Sequence, residues 1–412
     1  MTDNDVPYWP HGFFAELDEI ADTDKLDTQR LDAMYERAAE EATTPLLENP
    51  SRALMQERGQ LAGFEARLKA RWGPGLDLFE LTVVQARETG QWINAEYRPA
   101  AASRQDQQFE ALIRLHGRGI LTAQEVLVLL RSGFSTGAFA RWRTLHEIWV
   151  VFALLSEGDE ELARRYLAHD AVESIKGQRE YEETWQALGF DPPDWTSQQR
   201  DELGSSLRQK YGASFLEGYG WAVSLFGGRA PTFQQLQELA KLDHWRGYYR
   251  MASHGTHANP KGIRWNIQAG ADTRAIWAGP SNAGLLDPAQ CVLIALANVT
   301  VELLQYAVKE LITDDDDAIG HQAEALINQQ PVLVLMNRAI QALAEIHKEQ
   351  ERQEKGLGEL INRITEVLQD EPMLTARQIA ERLGVDLDEL EKALTAARER
   401  GRLKSETRYR PR

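Results

Sequence analysis

The sequence predicts an all-α protein: a helical bundle with an N-terminal helical segment and a small C-terminal module. Apolar residues recur at helical spacing along most of the chain, and no convincing alternating strand appears before the last few residues. Capping residues and Gly/Pro breakers punctuate the periodic stretches where helices should start and stop. The composition, 43% hydrophobic and 26% charged, is that of a globular protein.

Residues 1–100 are expected to form short helices broken at Asn49-Pro50 and at Trp72-Gly73-Pro74-Gly75. A long helix follows over about 104–131, with an interruption near Gly117 and Gly119, then a second over about 136–156. Glu160 to Leu188 reads as one amphipathic helix stopped by Gly189. The stretch 190–245 suggests shorter helices and loops, and Ala258 to Pro288 an extended loop. Ala289 to Ile312 returns as a buried helix, closing a central domain over 101–312.

The acidic run Asp314 to Asp317 reads as a solvated helix end or linker, because adjacent carboxylates lack the alternating spacing of a calcium loop. A helical connector spans 313–358, periodic over about 321–356. The module 359–412 begins with a short helix, Leu360 to Leu368. Thr375 caps the next helix, Gly384 ends it in a left-handed turn, and Asp386 opens a last helix from Leu387 to Arg400.

Bulk charge and cysteine usage narrow the function. A net charge of −17 argues against non-specific nucleic-acid binding by the whole surface. The single cysteine, Cys291, rules out an intrachain disulfide and sits in an apolar run that reads as buried helix. The first residues, MTDNDVPYWPHGF, lack a signal peptide, and no apolar run approaches the ~20 residues that span a bilayer. The expectation is a soluble cytoplasmic protein that does not engage a membrane. No P-loop, Gly-rich nucleotide fingerprint or nucleophile elbow occurs, and neither a metal nor another cofactor is expected.

Chemistry concentrates in YYRMASHGTHANPKG, Tyr248 to Gly262. At the ~100° per residue of a helix, Arg250, His254 and His257 fall on one face, with Ser253 beside them. A histidine titrates near neutral pH and can act as base or acid, and an arginine grips phosphate oxygens with two parallel donors. Asn259 can help orient them. In RWRTLHE, Arg143 and Glu147 are four apart and form an in-helix ion pair, whereas Arg141 and His146 point away from each other. Two other readings stay open. These residues can simply satisfy one another inside a bundle, and His254-x-x-His257 can start a zinc or iron site, although no carboxylate-x-x-histidine repeat completes a di-iron bundle. Trp245, Tyr248, Tyr249, Trp265 and Trp277 can stack bases or pack as core.

The pairs Arg143-x-x-x-Glu147 and Ser253-x-x-x-His257 resemble those of a poorly characterised group of prokaryotic helical domains, over about residues 100–310. That group in turn resembles the HEPN (higher eukaryotes and prokaryotes nucleotide-binding) superfamily, whose nucleases carry an arginine, four to six residues, and a histidine. Arg250 to His257 and Arg141 to His146 have that spacing, although Met251 and Trp142 stand where those nucleases usually have a polar residue. The resemblance implies a metal-independent ribonuclease working as a homodimer, in a toxin or phage-defence setting. Arg250, His254 and His257 would be catalytic, with Arg143, Glu147, Ser253, Asn259, Arg141 and His146 in support. The alternative is a non-catalytic scaffold or regulator.

The last forty or so residues resemble a winged helix-turn-helix. Arg398 to Arg412 carries seven basic residues against two acidic ones. The resemblance makes Arg398, Arg400, Arg402, Lys404, Arg408 and Arg410 nucleic-acid contacts. The acids Asp386, Asp388, Glu389 and Glu391 at the start of the reader helix favour a protein partner instead.

Overall fold

The computed structural model describes residues 28–191, 197–258, 260–262, 268–269, 276–311, 318–371 and 374–399. Its regular structure is helical apart from a two-residue antiparallel ladder, Gln268–Ala269 against Ile276–Trp277. The chain divides between Arg67 and Leu68 into two compact units.

In the first unit, α1 (Thr28–Glu48) buries Met34 and Ala38, with Leu31 packed on them. The break expected at Asn49-Pro50 is present. Asn49 caps α2 (Pro50–Ala53), its side chain accepting from the Arg52 amide at 3.0 Å, and Pro50 takes a first-turn position that needs no amide partner. Helix α3 (Met55–Arg104) begins here and continues into the second unit.

The break expected at Trp72–Gly75 is absent, and α3 continues through Pro74. A proline inside a helix costs about 3 kcal/mol. Against that stand Leu68, Trp72, Leu76 and Phe79, each 2% exposed or less. Burying one such side chain contributes roughly 1.5–3 kcal/mol, so packing wins. Gly75 allows the close approach of Leu343, whose side chain would lie 2.6 Å from a Cβ there.

Asp106 caps α4 (Gln107–Arg131), accepting from the Phe109 amide at 2.8 Å. The helix is not interrupted at Gly117 or Gly119. Helix α5 (Ser135–Ser156) packs against it. The single helix expected to Leu188 is two, α6 (Glu160–Ala168) and α7 (Asp170–Ala187), with a corner at His169. The His169 ring is buried and meets the Glu217 carbonyl at 3.0 Å, which ties the corner to a neighbouring segment. Helix α8 (Ser197–Tyr211) is followed by 3-10 turns at Ala213–Leu216 and Gly220–Phe226. Then come α9 (Phe233–Leu239), opened by a Thr232/Gln235 capping box, and α10 (Arg246–Ser253).

Helix α11 (Leu286–Leu311) completes the core with α4 and α5. Over Leu286–Lys309 it is long and apolar enough to cross a membrane, contrary to the expectation that no such run exists. About two thirds of that window is buried in the bundle, and Cys291 lies inside it with its thiol pushed up by burial. Helix α12 (Ala318–Asp370) packs on α11 and is one 53-residue element where a connector and a separate short helix were expected. Its C-terminal end joins α13 (Ala376–Leu383) and α14 (Leu387–Glu399) around a core of Ile361, Ile364, Ile379, Leu390 and Leu394. Thr375 and Gly384 cap α13 as expected, Gly384 at φ 66°. The acidic run at 314–317 lies outside the described residues.

Candidate functional site

Helix α5 presents Arg143 and Glu147 one turn apart, and α10 lies across them. Arg143 Nε donates to Glu147 Oε1 at 3.2 Å. The Tyr249 hydroxyl donates to the same oxygen at 2.6 Å, and the Arg143 guanidinium stacks 4.6 Å above the Tyr249 ring. Burial, then the bond to Glu147, pushes the Tyr249 phenol well above its usual value, so it stays a neutral donor. One carboxylate oxygen is thus shared by a cation and a phenol that also stack on each other. Such a unit ties the two helices together through one shared acceptor.

Arg141 and His146 part company, as their five-residue spacing requires. Arg141 pairs with Glu125 of α4 and reaches Thr144 Oγ1 at 3.2 Å. His146 is fully buried among Trp142, Trp149, Phe233 and Tyr249. Its Nε2 meets the Gln237 amide at 2.8 Å, and burial lowers its pKa to about 4. It is a neutral core histidine at physiological pH. Trp245 belongs to the same aromatic cluster, tilted against Trp142 and edge-on to Trp149, while Tyr248 is exposed beside Phe139.

Helix α10 ends at Ser253, with His254 as its cap. The helical phase that would align His257 with Arg250 therefore stops before reaching His257, which lies in a bend beyond the helix. Arg250 and His257 are exposed and His254 is half-buried. Ser253 Oγ donates back to the Tyr249 carbonyl at 2.8 Å, so its hydroxyl is engaged within its own helix. The chain then returns as a helical turn at 260–262, so close that a Cβ on Gly262 would lie 2.4 Å from the His254 carbonyl oxygen. Asn259 and Trp265, and the basic residues Arg400, Arg402, Lys404, Arg408 and Arg410, lie outside the described residues, as do the side chains of Trp277 and Arg398.

The turn carrying His254 to His257 rests on the start of α5. A Cβ on Gly255 would sit 3.3 Å from the Thr136 carbonyl oxygen. Between them opens a cavity of about 590 Å³, lined by Ser135, Thr136, Gly137, Met251, Gly255 and Asp287, among others. Gly255 represents the turn there, and Arg250, His254 and His257 are not part of the lining. Phe134 precedes α5 and provides no side-chain cap. Among the described residues, the amides of Ser135, Thr136 and Gly137 find no acceptor. Unpaired first-turn amides favour an anion.

Sequence reasoning missed three partners: Glu125, Gln237 and the structural role of Tyr249. The last had a signal, because Tyr249 precedes Arg250 by one helical step, so only one of the two can face the bundle.

A protein-family model described as a family of unknown function (DUF5677) matches residues 109–273. The match takes in α5 and α10, and with them Arg143, Glu147, Tyr249, Arg250, Ser253, His254 and His257, while the cavity residues from Gly279 to Pro288 lie beyond it. No curated protein matches the chain, and no solved structure does.

Proposed function

We propose that this chain acts on RNA as a metal-independent, HEPN-like ribonuclease, in a cytoplasmic effector of the toxin or phage-defence kind. The observation that carries the reading is the cavity between the His254–His257 turn and the uncapped start of α5. RNA can cleave itself when a base takes the 2′-hydroxyl proton, an acid serves the leaving oxygen and a cation holds the phosphate. His257 and His254 divide the two proton transfers, Arg250 holds the phosphate, and the amides of Ser135 to Gly137 receive a phosphate oxygen. The biological setting rests on the family resemblance alone. Two copies of the motif meeting in a homodimer, and a nucleic-acid role for the α13–α14 body with its basic tail, belong to the same reading.

Purified protein should cut RNA in the presence of chelator and leave 2′,3′-cyclic phosphate ends. His257→Ala should lower the rate by ~10²-fold or more. Arg250→Lys should also cripple it, because lysine keeps the charge and loses the two-pronged grip. Undiminished cutting by the His257→Ala protein would remove the catalytic assignment.

The shared carboxylate of Glu147 favours a second reading, a non-catalytic scaffold whose polar motifs hold the bundle together. That reading expects no cleavage by the wild type.

A further inference from the structure

A second cleft, about 900 Å³, opens between α4, α6, α7 and the segment around Tyr219. Its volume lies within the range of small-molecule sites. Three cations line it, and two are already committed: Arg114 pairs with Glu110, which also holds Arg98, and Lys176 pairs with Glu173. Arg118 is exposed and has no acidic partner among the described residues. The phenols of Tyr166 and Tyr219 also line the cleft without a hydrogen-bond partner among the described residues. Burial raises both phenol pKa values, so both are neutral O–H donors at physiological pH. The cleft therefore offers these three uncommitted donor side chains beside the indole of Trp221, whose N–H also has no partner among the described residues. Its one uncommitted acid, Asp170, is exposed at the start of α7, where the helix dipole favours it.

Tyr219 is held there against its backbone preference. Its φ of 55° and ψ of 22° lie in the left-handed region, which a bulky residue seldom enters. The flanks are pinned on both sides. His169 meets the Glu217 carbonyl at 3.0 Å, and buried Arg165 donates to the Trp221 carbonyl at 3.2 Å. Gly220 is packed so closely that a Cβ would lie 2.1 Å from the Phe215 carbonyl oxygen. Strain kept in place by buried contacts is a mark of a functional position.

We infer that this cleft is a binding site for a small phosphomonoester, with Arg118, Tyr166 and Tyr219 donating to the three terminal oxygens of its phosphate. A phosphomonoester presents three strong acceptors and close to two negative charges, which suits three donors better than a carboxylate does. The inference does not depend on the cleavage reading, because none of the three residues belongs to the proposed catalytic set.

Calorimetric titration of the full chain with phenyl phosphate, inorganic phosphate and benzoate tests it. Phenyl phosphate should bind saturably at one site per chain, inorganic phosphate more weakly, and benzoate least. Arg118→Ala should weaken phenyl phosphate about tenfold or more, as expected for losing a charged hydrogen bond. Tyr219→Phe and Tyr166→Phe should each weaken it several-fold, with the melting temperature unchanged. RNA cleavage, if present, should survive in the Arg118→Ala protein. The assignment is overturned if phenyl phosphate does not bind, if benzoate binds as tightly, or if Arg118→Ala binds like wild type.

Discussion

Helix α10 has two faces that differ in what their polar groups have already been given. On the inner face, Tyr249 is bonded to Glu147 and stacked under Arg143, and the neighbouring His146 is buried and neutral. On the outer side and beyond the C-terminal end, Arg250 and His257 are exposed. Polar residues of the same kinds serve opposite ends here. The inner set satisfies itself and links α5 to α10, whereas the outer set faces solvent, on a segment whose Met251 and Gly255 line a cavity at the start of α5. A motif of arginine, glutamate and histidine is therefore read correctly only once each member's partners are known.

Four perturbations sharpen that contrast. Trp142→Ala, in the fully buried inner cluster, should cost about 3–5 kcal/mol of stability. His257→Ala should leave thermal melting unchanged, and equal losses in the two variants would erase the distinction.

Glu147→Ala leaves the Tyr249 hydroxyl and the Arg143 guanidinium without their shared acceptor and should cost about 1–3 kcal/mol. Arg143→Ala should cost less, because the Tyr249 bond survives. Adding Tyr249→Phe to Glu147→Ala should recover part of the loss, since the orphaned hydroxyl is gone. Strictly additive losses in chemical denaturation would argue against a shared unit.

Acidification provides a third probe. His146 and His116 are held neutral by burial, each with a folded pKa of about 4 against 6.5 unfolded. Between about pH 6.5 and 4 the unfolded chain binds protons that the folded one refuses, so both histidines make stability fall as pH falls. Glu302 opposes them. Burial raises its pKa to about 7, so from about pH 4.5 to 7 the folded state holds the extra proton and stability from this group is lost as pH rises. His146→Gln should flatten the acid-side slope of denaturation free energy against pH, by up to about 1.4 kcal/mol per pH unit. Glu302→Gln should steepen it. Identical slopes in wild type and variants would mean that neither group is held as described.

The smallest effect concerns the C-terminal body, away from both faces of α10. Thr375→Ala removes the capping box of α13 and should cost about 1 kcal/mol, seen as faster amide exchange in α13. Helix α5 should keep its protection, because the two share no core.

Much of the fold was readable in the residues. The ends of α5 and α11, and the caps of α13, follow from local signals such as Thr375 and Gly384. The misses share a cause, since local signals compete with packing. Gly73-Pro74-Gly75 reads as a breaker, yet Trp72 and Phe79 are buried deeply enough to carry the helix through it. The continuous α12 arises in the same way, with Val332, Ala339 and Leu343 buried at one end and Ile361 and Ile364 at the other. At the site, the one-turn spacing of Arg143 and Glu147 correctly predicted their ion pair. The face shared by Arg250, His254 and His257 assumed a helix that in fact ends at Ser253.

By itself the sequence determined the helical class, the approximate bounds of α4, α5, α11, α13 and α14, and the Arg143–Glu147 pair, because these depend on periodicity, caps and contacts within one or two turns. Only the tertiary structure decided that Tyr249 completes that pair, that Gln237 meets His146, and that the His254–His257 turn lies on the open start of α5. Those contacts join residues separated by about a hundred positions, and their partners are chosen by which helices pack together rather than by any local preference.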